Sequence, residues 1–429
     1  MPNTYSDVST AAALSADIKA IDLASTGNGT NYLITLTDAT LDESASPFAV
    51  NLKSGDTLTI DGDGATLDGV GTYRGLFVYA GNVTIENLTI ENAVAKGGAG
   101  GSGSGGGGGG AGLGGGLFVA DDAAHGAAPA NVTLSNVVFQ ADSATGGAGG
   151  AHTKIGSGGG LGGAGGGKAG GGGIGPSAAG GAGNSADNGG TGLVPGASSG
   201  GSGTAGSGGS GGDIFVQQGA TLTIESGQLS GGSVTAGAGA SGGSNGQAYG
   251  SGIFLQGNEN IAFAPGSGQT ETIYDIIADQ SGSGGTGSNA GAGRLTLDGA
   301  GTLALDAANT FAGGVAIDAG TLALGNSAGA GSGAIAFAAN AGATLAIESG
   351  ADPANTISGF DQSDVIALIG LGAGDVIRSA GASAPFSLSI SGDVVTQTFT
   401  GGAQSIYTFA ITGESYDETI KTLDAAGDK

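Results

Sequence analysis

The chain has 429 residues, 36 acidic against 10 basic side chains for a formal net charge of −26, 99 glycines, and neither cysteine nor tryptophan. The charge excludes a basic stripe able to replace phosphate counterions, so nucleic acid and anionic membrane are excluded as expected partners, while divalent cations, cationic surfaces and neutral glycans stay open. The absent cysteines exclude disulfides, thiol catalysis, iron–sulfur clusters and cysteine-ligated zinc.

The first residues, Met1 to Asp7, contain neither the basic nor the apolar run of a secretory signal. No stretch reaches the roughly 18 apolar residues of a membrane-spanning helix. Residues 9–24 predict one helix. Ser9 or Thr10 caps it, Ala11 to Ala13 favour it, and Leu14, Ile18 and Ile21 fall on one face. Residues 1–30 therefore read as a helical plug that closes the end of a repeat and covers its core and strand edge.

From residue 31 the pattern changes to short strands. Tyr32–Leu36, Phe48–Leu52, Thr57–Ile60, Leu76–Val78 and Val83–Ile85 alternate inward Leu, Ile and Val with outward polar residues, separated by Asp-Gly and Gly-Asn turns. Four short apolar phrases recur: Gly75-Leu76-Phe77-Val78, Gly116-Leu117-Phe118-Val119, Asp213-Ile214-Phe215-Val216 and Gly252-Ile253-Phe254-Leu255. A β-phrase that returns across insertions of very different length is the signature of a solenoid.

The insertions are glycine tracts at 97–116, 146–212 and 231–252; the first holds 15 glycines in 20 positions and the second 33 in 67. Such composition buries too little surface to offset ordering entropy by the usual route, which reads as loops extruded from one edge of the solenoid. One ordered alternative stands beside it. Residues 159–167 run with period three, the period of extended polyglycine-type helices akin to polyproline II, and such helices bundle by hydrogen bonding.

Residues 31–293 thus predict a β-helix with three insertions. In residues 294–350 the strands follow closely, among them Arg294–Leu297, Thr302–Leu305, Val315–Ile317, Thr321–Leu324 and Thr344–Ile347, with short turns. Residues 351–429 read as a closing β segment whose larger side chains cap the stack.

Leu295-Thr296-Leu297-Asp298-Gly299, then Asn309-Thr310-Phe311-Ala312-Gly313-Gly314, then Gly320-Thr321-Leu322-Ala323-Leu324-Gly325, together resemble the autotransporter-associated β-strand repeat, with Phe311 at a usual Tyr and Val315 at a usual Thr. More loosely, residues 31–280 are similar to pectate-lyase-type right-handed parallel β-helices and to glycine-rich bacterial surface proteins, and residues 357–376 resemble an element near the ends of large secreted adhesin-like proteins. The resemblance implies an exported passenger, located outside the cell or on a bacterial surface. An autotransporter ends in a membrane β-barrel, for which residues after 423 leave no room. The two expectations are a fragment of a longer protein, or export by a C-terminal type I secretion signal within the last segment.

Candidate chemistry is sparse. Asp61, Asp63 and Asp68 lie between Ile60 and Gly69, and carboxylates so close together are the best candidates for Ca²⁺, which takes six to eight oxygens. Asp-Gly is also ordinary turn chemistry, and the spacing matches no complete calcium loop. Residues 208–216 fit the calcium nonapeptide pattern once, but that pattern works by tandem stacking, so a single copy reads as chance within a glycine tract. Asp121, Asp122 and His125 suggest the paired acids of a polysaccharide hydrolase, yet neighbours on a strand point to opposite faces. With arginines at 74, 294 and 378 alone, no basic cluster awaits a uronate. His152 stands in glycine-rich sequence. Thr-x-Thr strands at Thr57/Thr59 and Thr221/Thr223 read as outward β-surface.

The fold expected is all-β: a right-handed parallel β-helix with an N-terminal helical cap and long Gly-rich insertions. The function expected is that of a non-enzymatic adhesin or structural protein, binding a glycan, a host or neighbour cell surface, or itself. It requires no cofactor, with Ca²⁺ the one candidate. The alternatives are a polysaccharide-binding or polysaccharide-cleaving β-helix and a self-assembling filament or surface-lattice subunit.

Overall fold

A computed structural model describes residues 3–100, 109–121, 128–151, 208–240, 245–287, 290–360 and 363–369, and beyond them strands within 386–419. The chain divides into two compact units, Met1–Thr223 with Gly227–Glu259 and Asp275–Gly293, and Ile224–Ser226 with Asn260–Tyr274 and Arg294–Lys429. Both are stacks of short parallel strands, as the alternation predicts for a parallel β-helix.

The first unit opens with a strand the sequence did not announce, Asn3–Val8, paired parallel with Asn31–Leu36. Between them runs the helix, Ala11–Ala24. The Thr10 side chain accepts the Ala13 N–H at 3.1 Å, and Leu14, Ile18 and Ile21 are fully buried against the neighbouring strands. Its C-terminal exit is fastened by Asp56, whose carboxylate accepts from the Ser25 hydroxyl and from the N–H groups of Thr26, Gly27 and Thr30 at 2.8–3.0 Å.

The coils then repeat with steps of 26 and 25 residues: Tyr32 pairs with Leu58 and Leu58 with Val83. The next step, Val83 to Val132, is 49 because it contains the first glycine tract. Inward columns run Tyr32, Leu58, Val83, Val132 and Ile34, Ile60, Ile85, Leu134, all buried. Coil bends are fixed by side-chain ladders. Asn136 donates from Nδ2 to Asn87 Oδ1 at 3.0 Å and Asn87 to Asp61 Oδ1 at 3.1 Å. Both asparagines hold a left-handed backbone, φ 55° and 52°, which Asn tolerates better than most residues.

The second unit repeats faster. Leu303 pairs with Leu322, Leu322 with Leu345, and Leu345 with Ile366, steps of 19, 23 and 21 residues. A Thr column, Thr270, Thr302, Thr321 and Thr344, faces outward beside it. Within 295–325 the turn residues are structural. Buried Asn309 donates to the Gly329 carbonyl at 2.7 Å, Phe311 is fully buried, and Gly320 takes φ 66° where a Cβ would meet the Gly299 carbonyl. Beyond Val365–Ile369 the described residues form four strands. Thr408–Gly413 pairs parallel with that strand and antiparallel with Tyr416–Thr419, and Phe386–Ser391 pairs antiparallel with Val394–Phe399. Among the described residues no helix is long and apolar enough to cross a membrane.

Candidate functional site

Where the glycine tracts attach is the first unit's most distinctive feature. All three leave and return at one corner of three successive coils. The outgoing strands Val94–Lys96, Ser143–Thr145 and Ser233–Thr235 stack in parallel register, and the returning strands Gly112–Leu113, Gly209–Ser210 and Ala248–Tyr249 do the same.

Beyond the outgoing strands the backbone remains ordered but changes its rhythm. Gly97 and Gly100 donate to the carbonyls of Thr145 and Ala148 at 2.8 and 2.7 Å. Gly146 and Gly149 donate to Thr235 and Ala238, both at 2.8 Å. The bonds step by three residues, where a β-ladder steps by two, and three is the turn of a polyproline-II-like helix. Sideways bonds tie outgoing to returning chain: Gly110 to Gly98 at 2.7 Å, Gly147 to Gly110 at 2.8 Å, Gly246 to Gly237 at 2.9 Å. The described bases of the tracts thus carry a three-residue rhythm. The period-three run at 159–167 lies outside the described residues. Glycine is demanded by proximity here: a Cβ on Gly147 would meet the Gly98 carbonyl oxygen, and one on Gly97 that of Gly110.

The same corner explains the Phe phrases. In Leu117–Val119, Ile214–Val216 and Ile253–Leu255 all three residues are buried, so these strands are covered on both faces. Leu, Ile and Val at the ends point one way and Phe the other, into a second core with Leu113, Ala120 and Ala278. The rings form a column. Phe77 and Phe118 are 4.7 Å apart edge-on, Phe118 and Phe215 5.0 Å apart stacked, and the Arg74 guanidinium sits 5.7 Å from the centre of the Phe77 ring.

Behind the corner lie acids, of which sequence reading passed over Asp142 and Glu43. Asp142 and Asp213 are wholly buried. Burial pushes the carboxyl of each well above its ordinary range, and acidic neighbours add to the effect. Glu43 is buried and pushed up to about 9, first by burial and then by Asp68, against the pull of Arg74. The signal in sequence was Asp213 itself, which opens the third Phe phrase where the other three copies have Gly.

The sequence candidates are placed as follows. Asp61 Oδ1 accepts the Asp63 N–H at 3.0 Å and the Asn87 amide; Asp68 Oδ1 accepts the Val70 N–H at 2.7 Å and the Asn92 amide at 3.2 Å. Asp61 and Asp68 thus serve turns and ladders, and among the described residues no group of three or more side chains is placed to hold a metal ion. In 208–216 the nonapeptide aspartate is the buried Asp213. The Asp121 N–H donates to Gln217 Oε1 at 3.1 Å; Asp122, His125 and His152 lie outside the described residues.

Neither a curated protein nor a solved structure matches the chain. Residues 295–324, two coils of the second unit, match the family described as Passenger-associated-transport-repeat.

Proposed function

We propose that the chain is an exported passenger that works as a surface adhesin or structural element, binding a glycan, a cell surface or another copy of itself, without turning over a substrate. The single observation that carries this reading is the passenger-associated repeat at 295–324, in coils with buried Leu columns and an outward Thr column. The glycine corner supports it. Three tracts rooted in adjacent coils put like segments side by side, and many weak contacts presented together bind far more strongly than one.

The test is adhesion of cells that display the chain against cells that lack it, on glycan-coated surfaces, on host cells and on each other. Raised adhesion on any of these supports the reading, and which surface responds names the partner class. Equal adhesion on all three overturns it. Light scattering of the purified chain in calcium and then in chelator separates the alternatives. Growth by whole multiples in calcium supports a polymerising subunit and Ca²⁺ as its ligand.

A further inference from the structure

Three aspartates from different coils line the back of the glycine corner: Asp142 ahead of Ser143–Thr145, Asp213 ahead of Ile214–Val216, and Asp275 ahead of Ile277–Asp279. Two of them hold backbone. Asp142 Oδ1 accepts the Ala93 N–H at 2.7 Å, and Asp275 Oδ2 accepts the Gly232 N–H at 2.8 Å. Ala93 and Gly232 directly precede the first and third outgoing strands, so these carboxylates fasten the tracts where they leave the coil.

Asp213 differs. It is fully buried beside Gly232, where a Cβ would meet its two oxygens at 2.7 and 2.8 Å, and neither oxygen receives an N–H or O–H from an ordinary donor. Its neighbour is the Asp275 carboxyl: the Asp213 oxygens stand against Gly232, whose N–H Asp275 Oδ2 accepts, and the Asp275 carboxyl raises Asp213 further. Two ionised carboxylates brought together at one glycine repel, and a proton on one of them turns the repulsion into a hydrogen bond. Asp213 is the deeper, and an isolated buried carboxylate is the costlier to ionise. The other Asp142 oxygen is likewise buried without a partner. Among the described residues the charged groups that act on the pair are acidic: Asp142 and Asp275 face Asp213, while Glu91, Glu43 and Asp68 face Asp142, with Arg74 beyond them drawn to Glu43.

We propose that Asp213 and Asp275 share one proton, and that this proton is a pH-sensitive latch on the glycine corner, seating the third outgoing strand when present and releasing it when lost. Donation from Asp213 leaves Asp275 free to hold Gly232 through its other lone pairs. Loss of the proton puts two negative charges against each other in a wall already lined by Asp142, and the wall relieves this by admitting water, which unseats Gly232 and the chain that follows.

The direction follows from linkage. Asp213 has a folded-state value above that of the unfolded chain, first through burial and then through Asp142 and Asp275. Its contribution to stability is therefore complete in acid, below the unfolded carboxyl value, and is lost as pH rises through the folded value. The corner is tight in acid and loosens as pH rises. This inference stands apart from the adhesive role, since a latch of this kind works whatever the tracts bind.

The test is amide hydrogen exchange of the full chain from pH 5 to pH 9, read at residues 208–216 and 233–239 and corrected for the intrinsic pH dependence of exchange. In the unmodified chain protection falls with rising pH, by about tenfold per unit once the proton is lost on opening. In Asp213→Asn the amide donates to Asp275 with nothing to release, so the fall in protection at 233–239 is shallower than in the unmodified chain, and what slope remains comes from Asp142. An equal slope in the two proteins overturns the latch. Should Asp213→Asn not fold, Asp213→Gly serves, because it puts at this position the residue of the other three phrases, removes the titrating group and predicts the same shallower profile. Calcium restoring corner protection at high pH in the unmodified chain, and not in the variant, also overturns it, since the pair is then a cation site.

Discussion

The rings of Phe215 and Phe254 lie 5.7 Å apart and within 3° of parallel, although 39 residues and a glycine tract separate them in sequence. Their strands pair in direct register, Phe on Phe. Neither ring is in the lumen of the coil; both are in the layer between the Phe strands and the glycine corner. Phe215 is the middle of that column, in contact with Phe118 on one side and Phe254 on the other. Phe215→Ala therefore costs about 3–5 kcal/mol, the usual loss for truncating a buried aromatic side chain. Denaturant unfolding measures it. A loss below about 1 kcal/mol would mean that the glycine corner does not cover this column in solution.

Gly147 makes the complementary case, in which stability rests on the absence of a side chain. Its N–H bonds to Gly110, and its Cα faces the Gly98 carbonyl. Gly147→Ala forces these polyglycine-type segments apart, at a cost of about 1–3 kcal/mol, as for other overpacked sites. The neighbouring Ala148 side chain is exposed, so Ala148→Ser is expected to be neutral. Hydrogen exchange at residues 97–100 and 146–150 reports both. Equal protection in the two variants counts against an ordered bundle.

Asp56 predicts a pH dependence opposite in sign to that of the buried acids. Burial alone raises its carboxyl, but hydrogen bonds from Gly27, Thr30, Ser25 and Thr26 outweigh that and bring it down to about 2. A depressed carboxyl stabilises above the unfolded value, near 4, and that stability is lost as pH falls toward 2. Asp56→Asn keeps the shape and loses the charge. It is expected to lower the unfolding midpoint at pH 6 and to remove part of the acid-limb slope. A midpoint unchanged at pH 6 would show that these four donors are served equally well by water.

Much of this was legible because a solenoid writes its contacts locally. Leu14, Ile18 and Ile21 gave the helix, and the alternation in Thr57–Ile60 or Thr321–Leu324 gave strands and their buried faces, since parity alone decides which side chain turns inward. Residues 295–325 carried the repeat for the same reason, as Asn309 and Gly320 meet local backbone demands. What parity cannot carry is the partner one coil away. Gly97 and Gly100 read as loop, because the carbonyls that order them belong to Thr145 and Ala148. The strand at Asn3–Val8 has its partner beyond the helix. Asp213 and Asp275, 62 positions apart, meet only once the coils are wound.

Glu271 shows that parity can be read in reverse. In Thr270–Ile273 the inward positions are Glu271 and Ile273, and Glu271 stands in the column continued by Leu303, Leu322, Leu345 and Ile366. It is fully buried, neither oxygen has a hydrogen-bond partner, and burial pushes its carboxyl up to about 8. A raised carboxyl stabilises fully in acid, and its contribution drains away as pH rises from about 4.5 toward 8. Holding the proton on at pH 7 costs about 3.5 kcal/mol relative to the unfolded chain, at about 1.4 kcal/mol per pH unit. Glu271→Leu continues the column at similar volume and removes that cost. It is expected to stabilise the second unit by about 3.5 kcal/mol at pH 7, with the gain shrinking toward pH 4 to whatever the Leu packing contributes. Glu271→Gln separates charge from packing, because it too abolishes the slope but leaves a buried amide in need of partners. Unfolding midpoints of the three proteins between pH 4 and pH 8 decide the matter. Parallel profiles would place Glu271 in contact with water, and its column would then end at Leu303.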